Sequence, residues 1–306
     1  MYLFEVSIKL FLSKYTSNSR PLTQLHNQQT KNSSYGTLLI DNLLPILILQ
    51  DMLEIIIILI AIGTGAGVAG SIIGIGGGIF FTPVLTLLGL QPSQIASTSL
   101  IAVTFTGISS TISYVRQKRI NYKLGLKMAL LSIPGAISGA FFSSLISIVS
   151  FKFFFAIMLI LVVLYIMYNN DIRREKLEKG LKLKNRYPLV YGAAFLAGVL
   201  SSLFGIGGGI IFVPTLIIIM NMKMNKAAPT SQLTIMISSL TGLIVHIILG
   251  HPNYEYALSL ASGAFIGGII GAELSGYIKE RILQILLSIS LLLVSIKLLY
   301  DVVQGN

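Results

Sequence analysis

Cysteine and tryptophan are absent from the 306 residues, and charged side chains are scarce, at 11%. Without cysteine there is no disulfide and no thiolate metal site, so the redox compartment is unreadable. Three histidines, His26, His246 and His251, occur with no HExxH or GxSxG context. No nucleophile–base pair or metal set can be assembled from them, so the chain is not expected to be an enzyme and no cofactor is implied. A Walker loop is missing too, which argues against ATP-driven transport by this chain alone. A soluble domain carries about 25% charged residues. Here hydrophobic residues reach 54% and mean hydropathy +0.83, the composition of an integral membrane protein. Apolar stretches of roughly 20 residues recur from Met52 onward, which fits helices rather than the weak alternation of a barrel.

What the chain does have is glycine, placed where helices should not be broken. Gly74 to Leu85 reads GIGGGIFFTPVL and Gly205 to Leu216 reads GIGGGIIFVPTL, with nine of twelve positions identical at an offset of 131. Glycine in a helix interior costs about 1 kcal/mol relative to alanine. Four glycines in five positions, twice, inside apolar stretches, mark two breaks in membrane helices.

The repeat extends beyond the glycines. Thr98-Ser99 aligns with Thr230-Ser231, Tyr122 with Tyr254, and Gly135/Gly139 with Gly267/Gly271, all at offset 132. A four-segment unit has been duplicated. The spacing predicts an all-α polytopic membrane protein of two inverted repeats, each a glycine-broken re-entrant hairpin followed by three transmembrane helices. In the first repeat, 52–169, a helix to about Ser71 precedes the break and a short helix from Ile79 to Leu88 follows it. Spans then fall at about 96–115, 124–147 and 152–168. A basic linker, 170–187, leads to the second repeat, 188–301, with its broken segment at 188–221 and spans at about 229–249, 257–278 and 282–300. Residues 1–51 form a polar extension expected to be poorly ordered; its apolar run Leu38–Leu49 is too short to span. Small residues at four-residue spacing (Gly63/Gly67, Gly135/Gly139, Gly263/Gly267/Gly271) read as close helix packing rather than substrate contact.

The net charge of +11 could suggest nucleic acid, but its placement reads as topology. If each broken segment returns to its own side, sixteen lysines and arginines near span ends face the cytoplasm and two, Lys152 and Lys297, face outward. If each crosses once, the split is thirteen to five. The positive-inside rule prefers the inverted arrangement in the cell membrane, with the 170–187 linker cytoplasmic.

Inverted repeats with broken helices are the pattern of secondary transporters, whose substrate binds near the midplane at the repeat interface. Each break frees backbone N–H groups at a helix N-terminus carrying about half a positive charge. Two such ends converging from opposite sides would hold an anion without a buried arginine. Thr98, Ser99, Thr230, Ser231 and Gln232 are the nearest polar side chains, although hydroxyls bonded to their own helix remain an equal reading. A nucleotide loop is excluded by context: no strand precedes the glycines and no acidic residue follows about 20 positions on. Two ionisable residues inside spans, His246 and Glu273, are proton-coupling candidates. Their repeat equivalents are Tyr114 and Phe141, so any such role belongs to one half. Lys127 and Lys297, near span ends, read as snorkelling side chains.

The doubled GIGGG-(x4)-P-x-L, the Thr-Ser after each copy and the two-half plan resemble the sulfite exporter TauE/SafE family over about 52–300. The resemblance implies a permease for sulfur-containing anions such as sulfite or sulfonates, working by secondary transport. It also implies that Gly74, Gly76, Gly77, Gly78, Thr98 and Ser99, with Gly205, Gly207, Gly208, Gly209, Thr230 and Ser231, surround the substrate path. The expected partners are a small anion, the lipid bilayer and protons as coupling ion. A passive anion channel, or transport of an unrelated solute, is the alternative.

Overall fold

The computed structural model describes residues 34–179, 187–277 and 280–304. The chain divides into two compact units, Met1–Ile55 and Ile56–Asn306. The described part of the first is helical, and the site lies wholly in the second. Among the described residues ten α-helices succeed one another: α1 (Ser34–Ile73), α2 (Gly78–Leu87), α3 (Pro92–Arg116), α4 (Tyr122–Leu145) and α5 (Ile148–Lys179), then α6 (Tyr187–Phe204), α7 (Gly209–Pro214), α8 (Met224–Ile248), α9 (Tyr254–Leu274) and α10 (Glu280–Val303). No strand occurs among the described residues. In hydrocarbon, only a helix or a closed barrel satisfies its own backbone groups. Among the described residues, six helical stretches are long and apolar enough to cross a membrane: Leu53–Ile73, α3, α4, α6, α8 and α9.

Several boundaries differ from those read in the sequence. Helix α1 begins at Ser34, so part of the expected polar extension is helical; residues 1–33 lie outside the described residues. Helix α5 continues to Lys179, through much of the expected linker, because no breaker interrupts Asn169–Lys179. Residues 180–186 of that linker also lie outside the described residues. Helix α2 starts at Gly78, one residue early, capped by Gly77. In the second repeat the helix after the break is not uniform. Pro214 ends α7 and the chain widens into a π turn, Thr215–Ile219. A proline has no N–H to give the regular ladder, so the local pattern shifts.

Packing is reciprocal between the repeats. Helix α1 lies along α9, with Gly63 against the Leu260 carbonyl and Gly267 against the Thr64 carbonyl. Helix α6 lies along α4 in the equivalent way, with Gly135 against the Phe195 carbonyl and Gly139 against the Val199 carbonyl. In both pairs the residue numbers rise together, so each pair is parallel. The glycines flagged by four-residue spacing are therefore packing residues: the backbones approach until a Cβ would meet a carbonyl oxygen. Helices α3 and α8 cross at the centre, where Gly107 faces the Met236 backbone and Thr104 Oγ1 lies 3.0 Å from Ser239 Oγ. Of the six spans, α3 is the most enclosed.

The crossing of the two broken segments leaves no room for side chains. A Cβ on Gly78 would sit 2.5 Å from the Gly205 oxygen, and one on Gly209 would sit 2.5 Å from Ile75 Cα. We therefore expect Gly78→Ala and Gly209→Ala to destabilise the protein by about 1–3 kcal/mol each, the usual cost of overpacking. Gly65→Ala, inside α1 where the new Cβ meets nothing within 4 Å, should instead stabilise the protein slightly, by up to about 1 kcal/mol. Thermal unfolding of the detergent-solubilised variants measures the difference.

Candidate functional site

Each break is built from three successive left-handed glycines around one isoleucine. Gly74, Gly76 and Gly77 have φ of 84°, 86° and 85°; Gly205, Gly207 and Gly208 have φ of 75°, 86° and 74°. A side chain at any of these would be strained. The first turn folds back on its own helix, with the N–H groups of Gly74, Ile75 and Gly76 all within hydrogen-bond reach of the Gly70 carbonyl. The second does the same more loosely, Gly205 and Ile206 donating to the Ser201 carbonyl. Beyond these bonds, the N–H groups of Gly77, Gly78 and Ile79 have no partner among the described residues, nor have those of Gly208, Gly209 and Ile210. These are the first amides of α2 and α7, the positive ends anticipated from the sequence.

The carbonyl side of each break is closed by the other repeat. Ser99 on α3 donates to the Gly205 oxygen at 2.6 Å, and its equivalent Ser231 on α8 donates to the Gly74 oxygen at 2.7 Å. Gln232 Nε2 donates to the Gly70 oxygen at 2.8 Å. Thr82, on α2, donates to the Phe204 oxygen at 2.8 Å. Thr98 and Thr230 are used differently: each accepts the N–H of the residue that caps the start of a helix of the other repeat. Asn253 donates to Thr98 at 3.1 Å and Asn121 to Thr230 at 3.0 Å. Only Thr230 also bonds its own helix, at the Lys226 carbonyl. All five predicted side chains are buried.

Between the turns stand two aliphatic side chains, Val103 and Ile235, themselves equivalents at offset 132. A Cβ on Gly207 would meet Val103 at 2.6 Å and Ile235 at 3.1 Å, and one on Gly76 would meet Ile235 at 3.1 Å. The convergence of the two helix ends is thus plugged by a valine and an isoleucine. A cavity of about 340 Å³ approaches the second turn from beside it, lined by Ser201, Gly208, Pro214 and Thr215 with Met158 and Leu200. The Ser201 hydroxyl is buried without a partner among the described residues, as are those of Ser71, Ser202 and Ser238 and the Gln232 Oε1.

The two ionisable candidates separate. His246 is fully buried, with Nε2 3.0 Å from the Ser202 carbonyl. Glu273 is exposed in the last turn of α9. Sequence reasoning missed two groups. Tyr114, the equivalent of His246, donates to the Ser71 carbonyl at 2.8 Å, so the pair makes the same contact with the last turn of each broken helix. The offset of 132 already linked Tyr114 to His246, and Ser71 to Ser202 at 131. Thr82 gave no such signal, because its equivalent is Val213.

Comparison with known proteins places the chain. The profile of the family described as Sulfite exporter TauE/SafE matches residues 59–298. The probable membrane transporter protein YunE of Bacillus subtilis is 36% identical over 266 residues, covering 80% of this chain and 97% of that protein. MJ0441 of Methanocaldococcus jannaschii, also a probable membrane transporter, is 28% identical over 259 residues, covering 78% and 93%. YfcA of Escherichia coli K12, again a probable membrane transporter, is 24% identical over 239 residues, covering 77% and 86%. No solved structure matches.

The cross-repeat serines give a direct test of how the site is held. Ser99→Ala and Ser231→Ala each strip a buried carbonyl of its donor, a loss of about 1–3 kcal/mol. The two effects should be alike, because the contacts are. Ser262→Ala, whose hydroxyl serves only its own helix, should change stability by less than about 0.5 kcal/mol. Chemical or thermal unfolding of the three variants decides.

Proposed function

The chain belongs to the sulfite exporter TauE/SafE family of membrane transporters, and we propose on that premise that it is a secondary transporter of a small anion, sulfite or an organosulfur anion such as a sulfonate. The observation that carries the reading is the pair of partner-free amide sets, Gly77–Ile79 and Gly208–Ile210, at the two breaks. An oxyanion needs several donors converging on it, and backbone amides at a helix N-terminus supply them with a favourable dipole. No lysine or arginine lies between Met128 and Phe151 or between Ala227 and Ile278, so side-chain cations do not compete for this task. The buried hydroxyls without partners near the turns, Ser71 and Ser201 among them, add donors along the approach.

Alternating access follows from how the breaks are mounted. Each turn is hydrogen-bonded to the central helix of the opposite repeat, Gly205 to Ser99 and Gly74 to Ser231. Movement of one repeat against the other therefore carries a turn with it. Val103 and Ile235 close the space between the turns, and the anion reaches one amide set at a time as that plug is drawn to either side. The antiparallel setting of α3 and α8, with Thr98 at the α8–α9 loop and Thr230 at the α3–α4 loop, supports inverted repeats. By the positive-inside rule, the basic residues of the α3–α4 loop, Arg116 to Arg119, face the cytoplasm in this reading.

Transport and topology are separately measurable. In proteoliposomes the protein should carry labelled sulfite or a sulfonate with saturable kinetics. Gly77→Leu and Gly208→Leu should each abolish that flux while the protein still inserts; normal flux in both would remove the turns from the path. Flux that never saturates would indicate a channel instead. Because the chain has no cysteine, single Lys123→Cys and Ser147→Cys variants report sidedness directly. A membrane-impermeant maleimide should label Ser147→Cys from outside and Lys123→Cys only after the cytoplasmic face is opened.

A further inference from the structure

The equivalence between the repeats fails in chemistry where each broken helix has its last turn held. On the side of the α3–α4 loop, Tyr114 holds the Ser71 carbonyl and Arg119 lies over its ring, 5.3 Å from the centroid. At the equivalent positions on the other side, His246 holds the Ser202 carbonyl and His251 stands against its ring, centroids 5.1 Å apart. Neither a tyrosine nor an arginine changes charge near neutral pH, whereas two histidines do. The two ring Nδ1 atoms are 2.9 Å apart, and His251 Nε2 faces the exposed Ser144 hydroxyl at 3.4 Å.

Tautomers follow from the partners. A carbonyl only accepts, so His246 carries its hydrogen on Nε2 and, when neutral, offers a bare Nδ1. His251 must then donate from Nδ1, which leaves its Nε2 bare beside Ser144 at the surface. The rings form an ordered chain from solvent to the last turn of α6, three residues before the second glycine turn.

We propose that His251 and His246 form a proton-loading site that couples transport to a proton gradient. A proton from solution binds His251 Nε2 as the Nδ1 proton passes to His246 Nδ1. His251 ends neutral with its hydrogen on Nε2, and His246 becomes an imidazolium with both nitrogens protonated. The chain stops there, because the Ser202 carbonyl accepts a hydrogen bond but does not carry a proton onward. The buried cation beside the second turn adds attraction for an anion held there, and the anion's departure favours return of the proton by the same route. No other titratable group from α3, α4 or α6 contacts either ring among the described residues. Glu255, in the first turn of α9, is exposed and pairs with neither. Partial burial holds His251 below the ordinary imidazole range, so an acidic face favours loading. Under the topology proposed above, that face is external.

This inference rests on the anion-transport reading, and the experiment separates the two. In full-length protein labelled with ¹⁵N-histidine there are only three rings to assign. Above neutral pH, one ring should be in the Nδ1–H form, with ¹⁵N–¹⁵N coupling across the bond between His251 and His246. Both signs should vanish in His246→Tyr, which copies the Tyr114 contact and so preserves the fold. His251 in the Nε2–H form, unaffected by His246→Tyr, would overturn the proposal whatever is transported. In proteoliposomes, an acid gradient on the His251 side should stimulate wild-type uptake of sulfite or a sulfonate several-fold. His246→Tyr and His251→Asn should lose that stimulation; its survival in both variants also overturns the proposal. Coupled rings in a protein that moves none of these anions would keep the proton site and defeat the substrate reading.

Discussion

A helix interrupted inside hydrocarbon leaves backbone carbonyls and amides with no water to satisfy them, and the whole molecule is arranged around that deficit. The two breaks are treated unequally along their own length. Their carbonyl sides are closed by donors from the opposite repeat, Ser99 on Gly205 and Ser231 on Gly74, each at under 3 Å. Their amide sides, Gly77–Ile79 and Gly208–Ile210, are left open. An unsatisfied buried amide costs several kcal/mol in an apolar medium. Leaving six of them at the two places where the repeats meet is sensible only if something else supplies the acceptors for part of the time.

The same constraint ties the two repeats together. Each broken helix lies parallel to a helix of the other half, glycine against carbonyl, and each break takes hydrogen bonds from the other half's central helix. The reciprocal contacts keep the two turns touching at Gly78 and Gly209 while Val103 and Ile235 fill the gap between them.

Much of this was legible in residue order. The doubled glycine motif located both breaks, and four-residue glycine spacing located the helix contacts at Gly135, Gly139, Gly267 and Gly271. Thr98, Ser99, Thr230, Ser231 and Gln232, singled out as the nearest polar side chains, are all buried. Their division of labour was not readable. Ser99 and Ser231 close carbonyls, whereas Thr98 and Thr230 receive loop amides. Neighbouring residues in one helix point about 100° apart, and which direction meets which partner depends on a helix more than 100 positions away. Glu273 and His246 looked alike as ionisable residues within spans. One faces outward and the other is enclosed, because helix rotation within a bundle is set by its neighbours.

Sequence alone determined the membrane class, the duplication, the position of both breaks and the family, because each is written in composition or in local periodicity. Glycine runs cost helix stability wherever they occur, so they mark a break without any knowledge of the fold. Tertiary structure alone decided that the two turns touch, that Val103 and Ile235 stand between them, and that the carbonyls are capped while the amides are not. Those facts are relations between the two halves, at an offset of 131 or 132 residues. Only the packing that brings the halves together defines them.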